Sequence, residues 1–194
     1  REGLSPLVYA MFLATLAASA PSMPALHEGA ARAAPARPHP LPAGDWQTLT
    51  HDRLGFKIDY PANIFQPADG QQPDAGHILV SHDGRAKLLI AAFDNETQAS
   101  LRDYRAHVLE TSYAGADIDY APVRQSWFVL SGTRNDTEFY ERVSFTCSGQ
   151  RITSWAMLYP HAQQDYYNPI LEMIARSFRP SRMSDAGCRN ANQV

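Results

Sequence analysis

The sequence predicts an α+β fold in which a single antiparallel sheet of about six to eight strands carries two amphipathic helices. Three observations predict it. Short stretches of alternating apolar and polar residues recur from Trp46 onward, a pattern typical of half-buried strands. Turn-forming residues separate most of these stretches. Two longer segments place apolar residues at helical spacing instead, and a helix with one apolar stripe must pack on another layer.

The start of the chain differs in composition from the rest. The apolar run over 4–20 is short for a membrane span and contains Ser5 and Pro6, which favours a signal peptide over a transmembrane helix. We therefore predict a signal peptide over 1–25 and a Pro- and Ala-rich linker over 26–45, whose composition cannot offset its ordering entropy. A retained membrane anchor is the alternative.

The predicted signal peptide also sets the compartment. It implies a periplasmic or secreted protein. No cysteine lies near this segment, so we expect no lipid anchor. We expect the mature protein to be a soluble monomer.

One globular domain is predicted over 46–182, followed by a tail over 183–194, since this length suits a single core. Its first hairpin joins a strand over 46–50 to a strand over 56–60, in which Phe, Ile and Tyr alternate with polar residues. Pro61 ends the second strand because proline cannot donate to a strand ladder.

A second hairpin follows, with strands predicted over 77–81 and 86–93. Asp83 and Gly84 lie between them, and glycine tolerates the positive φ that tight hairpin turns require. The second strand is apolar on both faces, so we expect it inside the sheet with both faces covered.

Helical spacing begins after this hairpin, and a helix is predicted over 98–112. Ser100 and Asp103 have the form of a capping box, and Thr97 is a competing cap. The apolar stripe of this helix consists of Leu101, Tyr104, Val108 and Leu109.

The second half of the domain is predicted to hold a strand over 118–123 and then a meander of three strands over 127–131, 138–147 and 151–159. Asn135-Asp136 and Ser148-Gly149 mark the turns of the meander.

A final helix closes the domain. It begins near Asp165 or Asn168, tolerates Pro169 in its first turn, and ends before Pro180. Its apolar face consists of Ile170, Leu171, Ile174 and Phe178.

This order of elements resembles a known group. A strand ending in Tyr60-Pro61, a hairpin, a helix, a meander and a closing helix that runs into Ser177-Phe178 is similar to the PsbP-like secreted proteins, which include the photosystem II extrinsic subunit and bacterial periplasmic relatives. The resemblance covers 46–180. It implies an antiparallel sheet packed between helices, and a binding or accessory role rather than catalysis.

The two cysteines, Cys147 and Cys188, are not part of that pattern. In an exported protein they can pair. Such a disulfide closes a loop of roughly forty residues and could stabilise the fold by up to about 4 kcal/mol in the chain-entropy model. The alternative is a buried Cys147 and a free thiol in the tail.

Composition and motifs exclude several functions. The net charge is −3 and no Lys/Arg cluster occurs, so we expect no nucleic-acid partner. The seven histidines are scattered, and we predict neither a metal nor a cofactor. No known catalytic motif is present. A non-enzymatic domain is therefore favoured, although a triad of distant residues stays open.

Glu141 is the first candidate site residue. Alternation places it on the same face as Phe139 and Val143, at the edge of an apolar surface, where an unpaired carboxylate costs several kcal/mol or takes up a proton. We predict that an arginine on a neighbouring strand pairs with it; the candidates are Arg124, Arg134 and Arg151. Glu141 is then either a polar anchor in a ligand groove, next to Tyr140, or a residue without a binding role, which forms a structural ion pair or is exposed by the twist of its strand.

Tyr159, Tyr166 and Tyr167 frame a loop and a helix start, where aromatics serve either as a partner surface or as packing. Our first hypothesis is a non-enzymatic exported domain that binds a periplasmic protein or an envelope component. The alternative is a small-ligand-binding or hydrolytic domain with a groove near Glu141 and Tyr159. A tightly packed surface with exposed aromatics favours the first, and an enclosed aromatic cavity of about 300 Å³ or more favours the second.

Overall fold

The computed structural model describes residues 44–51, 55–70, 76–180 and Cys188. The predicted signal peptide, the linker as far as residue 43, and the predicted tail other than Cys188 lie outside these residues. Within the described part of the chain, neither α-helix is both long enough and apolar enough to cross a bilayer.

The described residues form ten strands and two α-helices. The strands are β1 (Trp46–His51), β2 (Phe56–Pro61), β3 (Phe65–Pro67), β4 (Gly76–Ser81), β5 (Lys87–Asp94), β6 (Asp117–Tyr120), β7 (Trp127–Arg134), β8 (Thr137–Thr146), β9 (Arg151–Pro160) and β10 (Arg179–Pro180). The helices are α1 (Leu101–Thr111) and α2 (Gln164–Ser177).

Seven of these strands form one antiparallel main sheet in the order β3-β4-β5-β9-β8-β7-β6. The predicted α+β class is confirmed. The first hairpin, however, forms a small sheet of its own in the order β1-β2-β10. Alternation indicated that one face of this hairpin is buried, which is correct, but it does not specify which strands pair with it.

Helices and the small sheet cover both faces of the main sheet. On one face, α2 and the small sheet bury a first core that includes Ile58, Leu88, Trp155, Ile170 and Ile174. On the other face, α1 and the segment after it bury a second core that includes Leu89, Tyr104, Val108, Phe128 and Leu130. Because β5 contributes Leu88 to the first core and Leu89 to the second, the expectation that both of its faces are covered is confirmed.

Local signals predicted several turns and caps correctly. Gly84 has φ of 70°, and Asn135 and Asp136 have φ of 49° and 61°, as tight hairpin turns require. The Ser100 Oγ accepts a hydrogen bond from the Asp103 amide at 3.1 Å and caps α1.

Several elements differ from the predictions. The short strands β3 and β10 carry too few residues to show an alternating pattern, so the sequence did not indicate them. Strand β6 ends at Tyr120 rather than continuing to Val123, because Pro122 lacks an amide for the ladder. Helix α2 begins at Gln164, after a 3₁₀ turn over His161–Gln163.

Gly132 allows β6 to lie at the edge of the main sheet. A Cβ built at this position would collide with the backbone carbonyl oxygen of Asp117 on β6, an atom that cannot move away without shifting the strand. We therefore expect Gly132→Ala to lower the free energy of unfolding by roughly 1–3 kcal/mol. Urea denaturation measures this change. The neighbouring Ser131→Ala should stay within about 0.5 kcal/mol of the native protein, and equal effects of the two variants would contradict the steric explanation.

Candidate functional site

Glu141 lies in the second core and is 5% exposed. Its two carboxyl oxygens accept hydrogen bonds from hydroxyl groups on neighbouring segments: Tyr113 Oη donates to Oε2 at 2.6 Å, and Ser154 Oγ donates to Oε1 at 2.7 Å. Tyr113 is itself held by stacking on Phe139, with ring centroids 4.4 Å apart. Burial raises the pKa of the Glu141 carboxyl, and the two hydrogen bonds oppose this rise in part.

The predicted arginine partner of Glu141 is wrong. Arg124 donates to the Val123 carbonyl, Arg134 donates to the Ser112 carbonyl, and Arg151 pairs with Asp94. The register explains this result, since Leu130 and Ala156 are the residues directly opposite Glu141 on the neighbouring strands. The carboxyl is therefore held by neutral hydroxyls, and among the described residues no ion pair to it is present.

The four candidate tyrosines lie on the opposite face of the main sheet from Glu141. Tyr140 packs on Trp155 in the first core, with ring centroids 5.1 Å apart. Tyr159 and Tyr167 are buried there and lie 5.3 Å apart, and Tyr159 Oη donates to Asn168 Oδ1 at 2.7 Å. Burial raises the pKa of Tyr159 far above its ordinary value. Only Tyr166 among them is well exposed, at 38%.

The placement of these side chains bears on the predicted groove near Glu141 and Tyr159. Because Glu141 and Tyr159 belong to opposite faces of the main sheet, they cannot line one groove. The tyrosines serve mainly as packing. Partner contact through Tyr166 stays a prediction.

The structure instead shows a cleft at the end of the main sheet where β7 begins and β8 ends, and its walls include residues from both faces of the sheet. It has a volume of about 710 Å³ and opens to solvent. We call it the Trp127 cleft. Its walls come from four parts of the chain: the start of α1 with the residues before it, the start of β7, the end of β8 with the turn that follows, and Pro180. The residues that line it include Ser100, Leu101, Gln125, Trp127, Arg142, Ser144, Phe145, Thr146 and Cys147.

Arg142 provides the charge of this cleft. Its guanidinium carbon lies 4.5 Å from the centroid of the Trp127 ring and 5.6 Å from that of Phe178, both within cation–π range. Arg124 lies over the same Trp127 ring at 5.7 Å. Burial is the main cause that lowers the pKa of Arg142, and the nearby charge of Arg179 lowers it further, although an arginine stays protonated in proteins.

Arg142 has no anionic partner among the described residues. The ion pairs in this part of the chain join other residues, namely Arg151 to Asp94, His161 to Glu138 and Arg176 to Glu172. Its Nε is buried and has no hydrogen-bond acceptor there. Buried charges are normally paired, so a half-buried guanidinium without an anion among the described residues is a candidate binding group.

Two hydroxyl groups lie beside Arg142 at the floor of the Trp127 cleft. Arg142, Ser144 and Thr146 alternate along β8 and therefore project from the same face of the strand. The Ser144 and Thr146 side-chain oxygens are buried, and neither has a hydrogen-bond partner in the described structure. The floor of the Trp127 cleft thus combines one cation with two hydroxyl donors.

The predicted disulfide is present between Cys147 and Cys188, which confirms the pairing. Cys147 lies in the wall of the Trp127 cleft, so the bond holds the tail residue Cys188 beside it. Among the described residues, no group of three His, Cys, Asp or Glu side chains is arranged to hold a metal ion.

The sequence-based predictions did not include this cleft. They offered Arg124 only as a partner for Glu141. Alternation along β8 does place Arg142 on the face of Tyr140 and opposite to Glu141, which was the available signal. The contact between Arg142 and Phe178 joins β8 to the end of α2, two segments that are distant in sequence, so it has no local signal.

The layers define an α+β domain whose fold is similar to that of PsbP and Mog1. Similar solved structures include cyanobacterial PsbP (CyanoP) from Synechocystis sp. PCC 6803, with a TM-score of 0.51 and 15% identity over 72% of this chain and 95% of that one. They also include the Ran-binding protein Mog1p of Saccharomyces cerevisiae, with a TM-score of 0.50 and 12% identity over 73% of this chain and 98% of that one. A point mutant of Mog1 matches at a TM-score of 0.51 and 12% identity, over 72% of this chain and 98% of its own.

At these identities the likeness concerns the fold alone. It confirms the fold-level resemblance to PsbP-like proteins that the order of elements predicted. No protein-family model matches the sequence, and comparison with curated proteins finds no match.

Proposed function

We propose that this protein is an exported, non-catalytic binding domain that takes a ligand group or partner segment into the Trp127 cleft. The observation that carries this proposal is the half-buried guanidinium of Arg142, which lines an open cleft and has no anionic partner among the described residues. A charge in this environment gains free energy when a ligand pairs with it.

The residues of the cleft favour binding over catalysis. Its described walls hold hydroxyl, aromatic and guanidinium groups, but no carboxylate or imidazole that could serve as a general base. The fold is compatible with a binding role, since Mog1p is described as a Ran-binding protein. The disulfide supports export, because such bonds persist in oxidising compartments. The partner we propose is a periplasmic protein or another envelope component.

Site-specific photo-crosslinking in the native host tests this proposal. A photoreactive amino acid replaces Gln125, which is exposed at the cleft, and a matched variant carries it at Glu110, exposed on α1. We expect a discrete crosslinked product from position 125 but not from position 110, recovered with the extracytoplasmic fraction. Equal products from both positions, no product from position 125, or a product confined to the cytoplasm would contradict the proposal.

A further inference from the structure

The chemistry of the Trp127 cleft narrows the class of ligand. Arg142 is the only charged side chain among the described residues that line it. The guanidinium contacts the rings of Trp127 and Phe178, so aromatic packing restricts its orientation. A guanidinium held in this way presents a planar fork of N–H donors, which matches the two oxygens of a carboxylate.

The aromatic wall of the cleft favours an organic carboxylate over an inorganic dianion. Arg124 and Arg179 lie near Arg142, so the number of cations does not decide between the two kinds of anion, and the choice depends on the wall. The Trp127 ring lies on the same face as Arg142 and can cover an apolar or aromatic body, whereas Leu101 and Phe145 pack against the second core on the other face. A volume of about 710 Å³ falls in the range of small-molecule sites.

We propose that the Trp127 cleft binds an organic carboxylate attached to an apolar or aromatic group. The Arg142 guanidinium donates two hydrogen bonds to the carboxylate oxygens. This inference rests on the proposed binding function and specifies its ligand chemistry. The carboxylate comes either from an acidic peptide side chain or from a free organic acid, and the experiment separates these sources.

The experiment is an NMR titration of the disulfide-bonded protein labelled with ¹⁵N. The probes are phenylacetate, the peptide acetyl-Phe-Glu-Phe-amide and inorganic phosphate. The reporter is the indole N–H signal of Trp127, assigned by its loss in Trp127→Phe. We expect saturable shifts with phenylacetate or the peptide, and no saturation with phosphate over the same concentrations. The tighter of the two organic probes identifies the source of the carboxylate.

Three variants test whether carboxylate binding depends on Arg142. Arg142→Met should weaken carboxylate binding by at least about tenfold, and Arg142→Lys should weaken it by less because the charge is kept while the fork is lost. Arg176→Met is the matched control, since Arg176 is exposed on α2 and lies outside the described cleft walls; it should bind like the native protein. If Arg142→Met lacks a dispersed spectrum, Arg142→Lys carries the test, and unchanged binding in that variant overturns the inference.

The remaining outcomes are also decisive. Equal affinity for phosphate, no saturable shift with either organic probe, or unchanged affinity in a folded Arg142→Met variant overturns the carboxylate inference. If crosslinking from position 125 persists under any of these results, the proposed binding function stands without its ligand class. Carboxylate binding in the absence of a crosslinked partner would support the inference and count against a macromolecular partner.

Discussion

Replacing Glu141 with alanine is expected to lower the free energy of unfolding by roughly 2–5 kcal/mol. The substitution leaves the buried hydroxyls of Tyr113 and Ser154 without their acceptor, and each unsatisfied buried polar group costs about 1–3 kcal/mol. Glu141→Gln is the matched control because its amide has nearly the same shape and keeps one acceptor and two donors. Urea denaturation at neutral pH should place the Gln variant much closer to the native protein than the Ala variant.

The same pair of proteins tests the electrostatics of this carboxyl. Burial raises the pKa of Glu141 in the folded state above its ordinary value, so the folded state binds this proton more tightly than the unfolded state does. The contribution of the carboxyl to stability is therefore complete below its ordinary pKa of about 4.3 and declines as pH rises through the raised folded value. Glutamine does not titrate. The stability of Glu141→Gln relative to the native protein should then increase as pH rises, and a decrease would show that the carboxyl is stabilised in its charged form.

Loss of the disulfide is the second large effect that we expect. Cys147 and Cys188 are 41 residues apart in sequence, and the chain-entropy model gives up to about 4 kcal/mol for a loop of this length. Cys188→Ala removes the bond and leaves Cys147 as a buried thiol, which behaves as a small apolar side chain. Urea denaturation without reductant should show the loss of stability.

Reduction provides the control for this prediction. A reductant should lower the stability of the native protein to that of Cys188→Ala and leave the variant unchanged. An equal loss in both proteins would show that the reductant acts elsewhere. Two free thiols in the exported protein, measured by mass spectrometry without reduction, would contradict the bond itself.

Most of the fold could be predicted from local signals. The hairpin turns at Gly84 and at Asn135-Asp136, and the cap at Ser100, are short-range effects that a few residues determine. The separation of the strands into two sheets could not be predicted in this way. It depends on the pairing of β10 with β2 across more than a hundred residues, and a two-residue strand has no periodicity.

The candidate site depends even more than the fold on long-range contacts, which local sequence patterns do not predict. Alternation correctly placed Glu141 on an apolar face, but its partners, Tyr113 and Ser154, follow from strand register and from the course of the chain after α1. The Trp127 cleft likewise requires the ends of α1, β7 and β8 to meet. The sequence identifies Arg142 only as one charged residue in a strand with alternating polarity. Its lack of a partner is a property of the fold and has no local signature.

The claim that the protein binds through Arg142 in the Trp127 cleft is tested by combining two of the changes described above. The photoreactive amino acid at position 125 is introduced into the native and the Arg142→Met backgrounds, and crosslinking is compared in the native host at equal protein levels. We expect the crosslinked product to disappear or to fall by at least about tenfold without the guanidinium. An undiminished product in the Arg142→Met background would contradict the claim.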